Sequence, residues 1–147
     1  MKIEVRDAPL EPWREVADYE QAQSALHGAA GAAAVFVGFM RDINEGATVT
    51  AMTLEHYPGM TERHLEKICR TAAERWTLLD TLVVHRVGEL HPADPIVLVA
   101  VWSAHRKDAF EACRYIMEDL KSNAPFWKKE QLPEGGHRWV EKNTAGY

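Results

Sequence analysis

Cysteine is scarce in this 147-residue chain. Only Cys69 and Cys113 occur, far apart and in no Cys-x-x-Cys pair. That excludes a disulfide framework and a cysteine-based zinc site. Both fall on the apolar faces of expected helices, where a free thiol acts as a small hydrophobe. Long apolar runs are also missing, since none approaches the ~20 residues of a membrane span. The opening Met1–Asp7 is charged and lacks the apolar stretch of a signal peptide, so a cytoplasmic location is expected. No surplus of positive charge is present either. The net charge of −5 argues against a general nucleic-acid binder, whose affinity rests on a basic surface. There is no Gly-x-Ser-x-Gly, no P-loop and no Rossmann glycine fingerprint. None of the seven histidines pairs with another at metal-ligand spacing beside a carboxylate, so neither metal nor cofactor is expected, and His56, His85 and His91 are as readily structural as functional.

What remains is an ordinary soluble composition, 46% hydrophobic and 27% charged, of a length that suits one domain spanning residues 1–147. The cations are uneven. Residues 1–30 carry three basic and six acidic side chains and residues 31–102 six and nine, whereas residues 103–147 carry eight and seven. A local anion site on an acidic protein is therefore open to the last third of the chain.

Periodicity places the elements. Met1–Arg6 is a short strand, Pro9 and Pro12 break the chain, and Glu15–Leu26 forms a helix. Ala32–Met40 is apolar throughout and reads as a strand buried on both faces. Thr48–His56 alternates and is expected to pair with it as a hairpin, with Arg41 at the mouth. Thr61 is the expected N-cap of a second helix carrying Leu65, Ile68, Cys69, Ala72, Ala73 and Trp76 on one stripe. Thr81–Val87 is a strand and Gly88–Asp94 a turn. Pro95–Trp102 is the best candidate for a central strand. Ser103 would cap a third helix burying Ala109, Phe110, Cys113, Ile116, Met117 and Leu120. Leu120–Glu130 leaves it as an anchored loop, and His137–Val140 adds an edge strand. This order indicates an α+β fold, a mainly antiparallel sheet with helices packed on it.

Local chemistry singles out a few residues. His105, Arg106 and Lys107 lie at the start of the third helix, where cations oppose the helix dipole. They either form an anion site with the free N–H groups or are solvated beside Asp108 and Glu111. Arg106 is the stronger candidate because its planar fork holds phosphate in two bonds. Lys121 continues the buried stripe one turn past Met117, so it either snorkels outward or lines a pocket with a depressed pKa. Arg41 ends an apolar strand abruptly. In the segment after the helix, Pro125, Phe126 and Trp127 look like an anchor that aims Lys128 and Lys129 at something anionic.

Several segments, each weak alone, together resemble the large, catalytic subunit of molybdopterin synthase. They are Val37-Gly-Phe-Met-Arg41-Asp-x-Asn44-x-Gly46, Leu54-Glu-His-Tyr-Pro-Gly-Met60, His85-Arg-Val-Gly-Glu-Leu90, Ser103-Ala-His-Arg106, Ala109-Phe, Leu120-Lys-x-x-Ala-Pro-Phe-Trp-Lys-Lys-Glu130 and Arg138-Trp-Val140. The resemblance implies an α/β-hammerhead-like fold and a sulfur transfer that completes the dithiolene of molybdopterin. The substrate would be cyclic pyranopterin monophosphate. The sulfur would come from a thiocarboxylate on the C-terminal Gly-Gly of a small ubiquitin-like subunit. Two large subunits would form a homodimer within a heterotetramer, and no cofactor is implied. Carried over by residue, the resemblance gives Phe39, Met40, Arg41, His105, Arg106, Lys121, Lys128, Lys129 and Glu130 to substrate binding. Lys121 and Lys128 would be catalytic, and Arg138 would reach a neighbouring subunit. Pro92-Ala93-Asp94-Pro95 departs from the family pattern and is expected to alter one turn and not the site. The rival reading is a non-catalytic module that binds a Gly-Gly tail or a phosphometabolite.

Overall fold

The structure, a computed structural model, describes residues 1–140; the rest of the expected 1–147 domain lies outside the described residues. Strand β8 (Pro95–Ser103) organises it. Eight of its nine residues are buried, and both flanking neighbours run antiparallel to it: β6 (Asp80–Arg86) and β2 (Ala32–Phe39). β1 (Lys2–Arg6) adds to β6 in parallel, giving the order β1-β6-β8-β2.

Alternation along β8 serves two cores. Val97, Val99 and Val101 meet helices α2 (Met60–Arg75) and α3 (Arg106–Asn123) through Leu65, Ile68, Ala72, Ala112, Ile116 and Leu120. Leu98, Ala100 and Trp102 face the other way, onto Leu10, Leu26 and the Val16–Tyr19 side of α1 (Pro12–Ala22). Trp102 satisfies its buried indole by donating Nε1–H to Glu20 at 2.8 Å.

A second four-stranded sheet is wholly antiparallel. Its order is β10 (His137–Trp139), β9 (Phe126–Gln131), β5 (Ala51–His56), β7 (Gly88–Leu90). A small hairpin, β3 (Ile43–Asn44) with β4 (Ala47–Thr48), precedes β5. Met40, Val49, Met52, Leu54, Val87, Leu90 and Ile96 close the junction between the sheets.

The α+β reading holds, as do the central place of Pro95–Trp102 and the edge strand at His137. Several expectations change. Pro12 starts α1 instead of breaking it, because a fixed φ and a missing N–H suit the first helical position. The helix ends at Ala22, and Ser24–Leu26 follow as a 3₁₀ turn. Ala32–Phe39 is not buried on both faces. It is a sheet edge, with Phe36 at 40% and Phe39 at 49% exposure, and its partner is β8 and not the Thr48–His56 run. The Asn44-Glu45-Gly46 turn closes only the short β3–β4 hairpin. Gly59, in the left-handed region at φ 84°, caps α2, and Glu62 accepts its N–H at 3.2 Å. Thr61 lies inside the helix, fully buried. His105, not Ser103, caps α3; Ser103 ends β8 and donates to the Thr77 carbonyl at 2.8 Å. Phe110 is 68% exposed, and Ala73 is exposed as well. Gly88–Leu90 is a strand, and the supposed loop after α3 becomes β9 from Phe126 onward. Among the described residues, no helix is long and apolar enough to cross a membrane.

Candidate active site

Helix α3 delivers Lys121. Cys113, Met117 and Leu120 hold its last turns in the core, and Lys121 sits one turn beyond Met117 on that stripe. The helix must stop soon afterwards. A residue before proline disfavours the helical region, and Ala124 is extended at φ −69°, ψ 138°. Pro125 then turns the chain into β9.

Strand β9 delivers Lys128 and Glu130. Side chains alternate across a strand, so Phe126, Lys128 and Glu130 share the inner face while Trp127, Lys129 and Gln131 share the outer. Phe126 is the anchor: its ring stacks on His85 at 3.9 Å and 16°. Trp127 is 45% exposed, with its ring 6.1 Å from that of Tyr57. Across the sheet, Lys128 lies opposite Leu54 and Glu130 opposite Met52.

Two cavities meet at the lysines. The first, about 110 Å³, is bounded by Phe39, Met40 and Arg41 at the end of β2, by Asn44, and by Lys121, Lys128 and Glu130. The second, about 260 Å³, runs along His85, Phe126, Trp127, Lys121 and Lys128. Neither alone reaches the roughly 300 Å³ at which pockets for drug-sized ligands begin. Burial pushes the Lys121 ammonium below its ordinary range, and a hydrogen bond with Lys128 partly restores it. Burial also holds Lys128 down, to about 8; the neighbouring Lys121 lowers it further and Glu130 raises it. The hydrogen bond they share raises Lys121 and lowers Lys128, so it favours the proton on Lys121.

Glu130 is 4% exposed and fully engaged. Asn44 Nδ2 donates to it at 2.8 Å and Arg138 Nε at 2.7 Å. Arg138 Nη2 also donates to the Asn44 carbonyl at 2.7 Å. The β3–β4 hairpin is thereby tied against the cavity. Arg138, expected to reach a neighbouring subunit, is held within its own chain. The Pro92–Asp94 turn also touches the site. Ala93 donates its N–H to the Met40 carbonyl at 2.9 Å, and Met40 N–H donates to Asp94 at 2.9 Å. A turn expected to be remote from the site thus fixes the strand end that lines it.

Six of the candidate residues therefore converge: Phe39, Met40, Arg41, Lys121, Lys128 and Glu130. Lys129 points to the outer face, over the Trp139 ring at 5.7 Å. His105 and Arg106 are exposed at the opposite end of α3. Fifteen residues of helix separate Arg106 from Lys121, about 22 Å at 1.5 Å each, so one phosphate cannot bridge them within one chain. Sequence reasoning missed Asn44 and His85. The Phe126/Lys128/Glu130 alternation was the signal for β9, but its polar inner face hid it. The two thiols are inert, since burial raises Cys69 to about 12 and Cys113 to about 11. Among the described residues, no three His, Cys, Asp or Glu side chains gather to hold a metal ion.

Residues 10–123 match the family model described as MoaE protein. A molybdopterin synthase catalytic subunit from Ralstonia nicotianae is 52% identical over 143 residues, covering 97% of this chain and 78% of that protein. Among solved structures, a molybdopterin biosynthesis MoaE protein from Burkholderia ambifaria superposes with TM-score 0.80 at 45% identity, covering 99% of this chain and 92% of the other. Molybdopterin synthase from Staphylococcus aureus gives TM-score 0.83 at 34% identity, covering 95% and 98%.

Proposed function

The chain belongs to the MoaE family, the catalytic subunits of molybdopterin synthase, and from that premise we propose how its residues carry out the sulfur transfer. The substrate is cyclic pyranopterin monophosphate. The sulfur donor is the thiocarboxylated Gly-Gly tail of a small ubiquitin-like subunit. The supporting observation is the half-buried Lys121–Lys128 pair at the meeting of two cavities, with Arg41 lining one of them. Two adjoining spaces suit two reactants, and the inert thiols suit a reaction whose nucleophilic sulfur arrives from outside.

Lys121, on which the shared hydrogen bond favours the proton, stabilises the negative charge on the oxygen that the thiocarboxylate sulfur displaces: the carbon–sulfur bond forms as the carbon–oxygen bond breaks and its electron pair leaves on oxygen. Lys128, poised near 8, takes the proton from the water that then cleaves the acyl–sulfur bond, leaving sulfur on the pterin and a carboxylate on the tail. Arg41 holds phosphate or pterin. Glu130 frames the site through Asn44, and Arg138 secures Glu130. Lys129 has at most a peripheral part.

His105 and Arg106 enter from a second copy. The start of β2 pairs with Ser103, next to His105, and its far end leads to Arg41. Two copies related by a twofold axis along this exposed edge, with Phe36 and Phe39 between them, would set one chain's His105–Arg106 end against the other's Arg41 end. This is the homodimer at the centre of a heterotetramer. Residues 1–147 act as one domain, in the cytoplasm, where two free thiols are at home.

The test is to supply the purified chain with thiocarboxylated small subunit and the pterin precursor. Dithiolene formation supports the proposal. Tail binding without product would support the non-catalytic module instead.

A further inference from the structure

The mechanism above leaves one buried titratable group unused. His85 is 4% exposed, sits at the last pair of the β6–β8 ladder, opposite Val97, and is covered by the Phe126 ring. Its Nδ1 lies 2.8 Å from the Arg86 carbonyl oxygen. A carbonyl only accepts, so Nδ1 carries the hydrogen and the neutral ring keeps Nε2 as a bare acceptor. The same ring lines the second cavity together with Lys121 and Lys128. Whatever His85 offers to that cavity, it offers through Nε2.

We infer that His85 is a positioning residue for the lysine pair, its Nε2 accepting a hydrogen bond from the Lys121 ammonium. The inference rests on the proposed roles of Lys121 and Lys128 and adds a third member to them. The groups that bear on the pair are Arg41 at the end of β2, His56 on β5, His85 on β6 and Glu130 on β9. Glu130 is engaged with Asn44 and Arg138 and acts on Lys128 through its charge. Lys128, once neutral, accepts one Lys121 N–H, and an ammonium carries three such donors. Burial holds the His85 pKa down to about 3, despite the Arg86 hydrogen bond; the positive charges that lower it further are Lys121 first, then Lys128 and His56. The ring thus remains an acceptor throughout the neutral range and never becomes a third cation. Its stacking on Phe126 fixes the start of the strand that carries Lys128, so one side chain sets the geometry of both lysines.

Three variants separate this role from simple packing. His85→Phe keeps the ring and its stacking but has no acceptor. His85→Asn places an amide near Nδ1 and leaves the cavity end empty. His85→Gln places a carbonyl oxygen near Nε2. The readout is the titration of Lys121 followed through its side-chain carbon and nitrogen NMR signals in the isolated chain. A hydrogen bond to a charged group corresponds to about one pKa unit. The Lys121 midpoint is expected to move acidward by about one unit in His85→Phe and His85→Asn and to return toward wild type in His85→Gln. A wild-type midpoint in folded His85→Phe would overturn the inference, as would a folded His85→Gln that titrates like His85→Phe. The titration uses neither the small subunit nor the pterin. A chain inactive in sulfur transfer would refute the proposed function and leave this result readable.

Discussion

Arg138 Nε donates to the buried carboxylate of Glu130 at 2.7 Å, while Asn44 Nδ2 holds the other oxygen at 2.8 Å. The pair joins β10, β9 and the β3–β4 hairpin on one wall of the cavity. Glu130→Gln puts an amide N–H against one of two donors. Breaking a buried pair on one side costs ~3–5 kcal/mol, and the partial exposure of Arg138 reduces that here to about 2 kcal/mol. Urea unfolding will show that loss, and steady-state kinetics will show a raised KM as the hairpin loosens.

Thr61 ties the second helix to the segment that enters β9. Its hydroxyl donates to the Pro125 carbonyl at 3.0 Å and accepts the Tyr57 N–H at 3.0 Å, with no exposure to solvent. Thr61→Val keeps the shape and strands both partners. A loss of about 2–3 kcal/mol is expected in chemical denaturation.

Ala93 occupies the left-handed region at φ 77° in the turn that holds Met40. An alanine there is strained by ~1–2 kcal/mol, and glycine relieves it at a smaller cost in unfolded-chain entropy. Ala93→Gly is expected to stabilise the fold by about 0.5–1 kcal/mol, visible as a raised Tm, with turnover unchanged.

Lys128 makes stability depend on pH in a stated direction. Its folded pKa of about 8 lies below the ordinary 10.5. Between those values the unfolded chain holds a proton that the folded chain has released, so stability from this group rises with pH across the window. Below about 8 the full cost of a buried charge remains. Lys128→Met should therefore raise Tm at pH 7 by roughly 3 °C, about 1 kcal/mol, and should flatten the rise between pH 8 and 10.5. The same variant should lose turnover. In the wild type, kcat should climb as pH passes 8, when the Lys128 amine becomes free to act as base.

How much of this was legible in the sequence differs element by element. The body of helix α3 followed from spacing, and the stripe Cys113–Met117 put Lys121 on its buried side, but spacing left open whether that lysine snorkels outward or lines a pocket. Strand β8 was legible because a strand covered on both faces is apolar at every position. The identical logic misread Ala32–Phe39. Apolarity does not say which neighbour covers a residue, and this run lies at a sheet edge with its phenylalanines bare. Phe110 was misread likewise. Strand β9 was hidden because its inner face carries Lys128 and Glu130 toward a cavity, which inverts the usual polar-out pattern. Its pairing with β5 joins segments about 75 residues apart, beyond the reach of any local signal. Of the site, the cations were visible one by one. Their division was not: three-dimensional packing put Arg41, Lys121 and Lys128 together and sent His105 and Arg106 to the far end of a helix.

The most direct measurement of the central claim is a single-turnover assay of Lys121→Ala with thiocarboxylated small subunit and cyclic pyranopterin monophosphate. Lys121 ends a helix whose packing rests on Met117 and Leu120, so the fold and the affinity for the small subunit should survive. The account predicts that dithiolene formation falls by at least ~10²-fold, the scale set by losing one preorganised cation beside a developing anion. Turnover at the wild-type rate in a folded, partner-bound Lys121→Ala would contradict it.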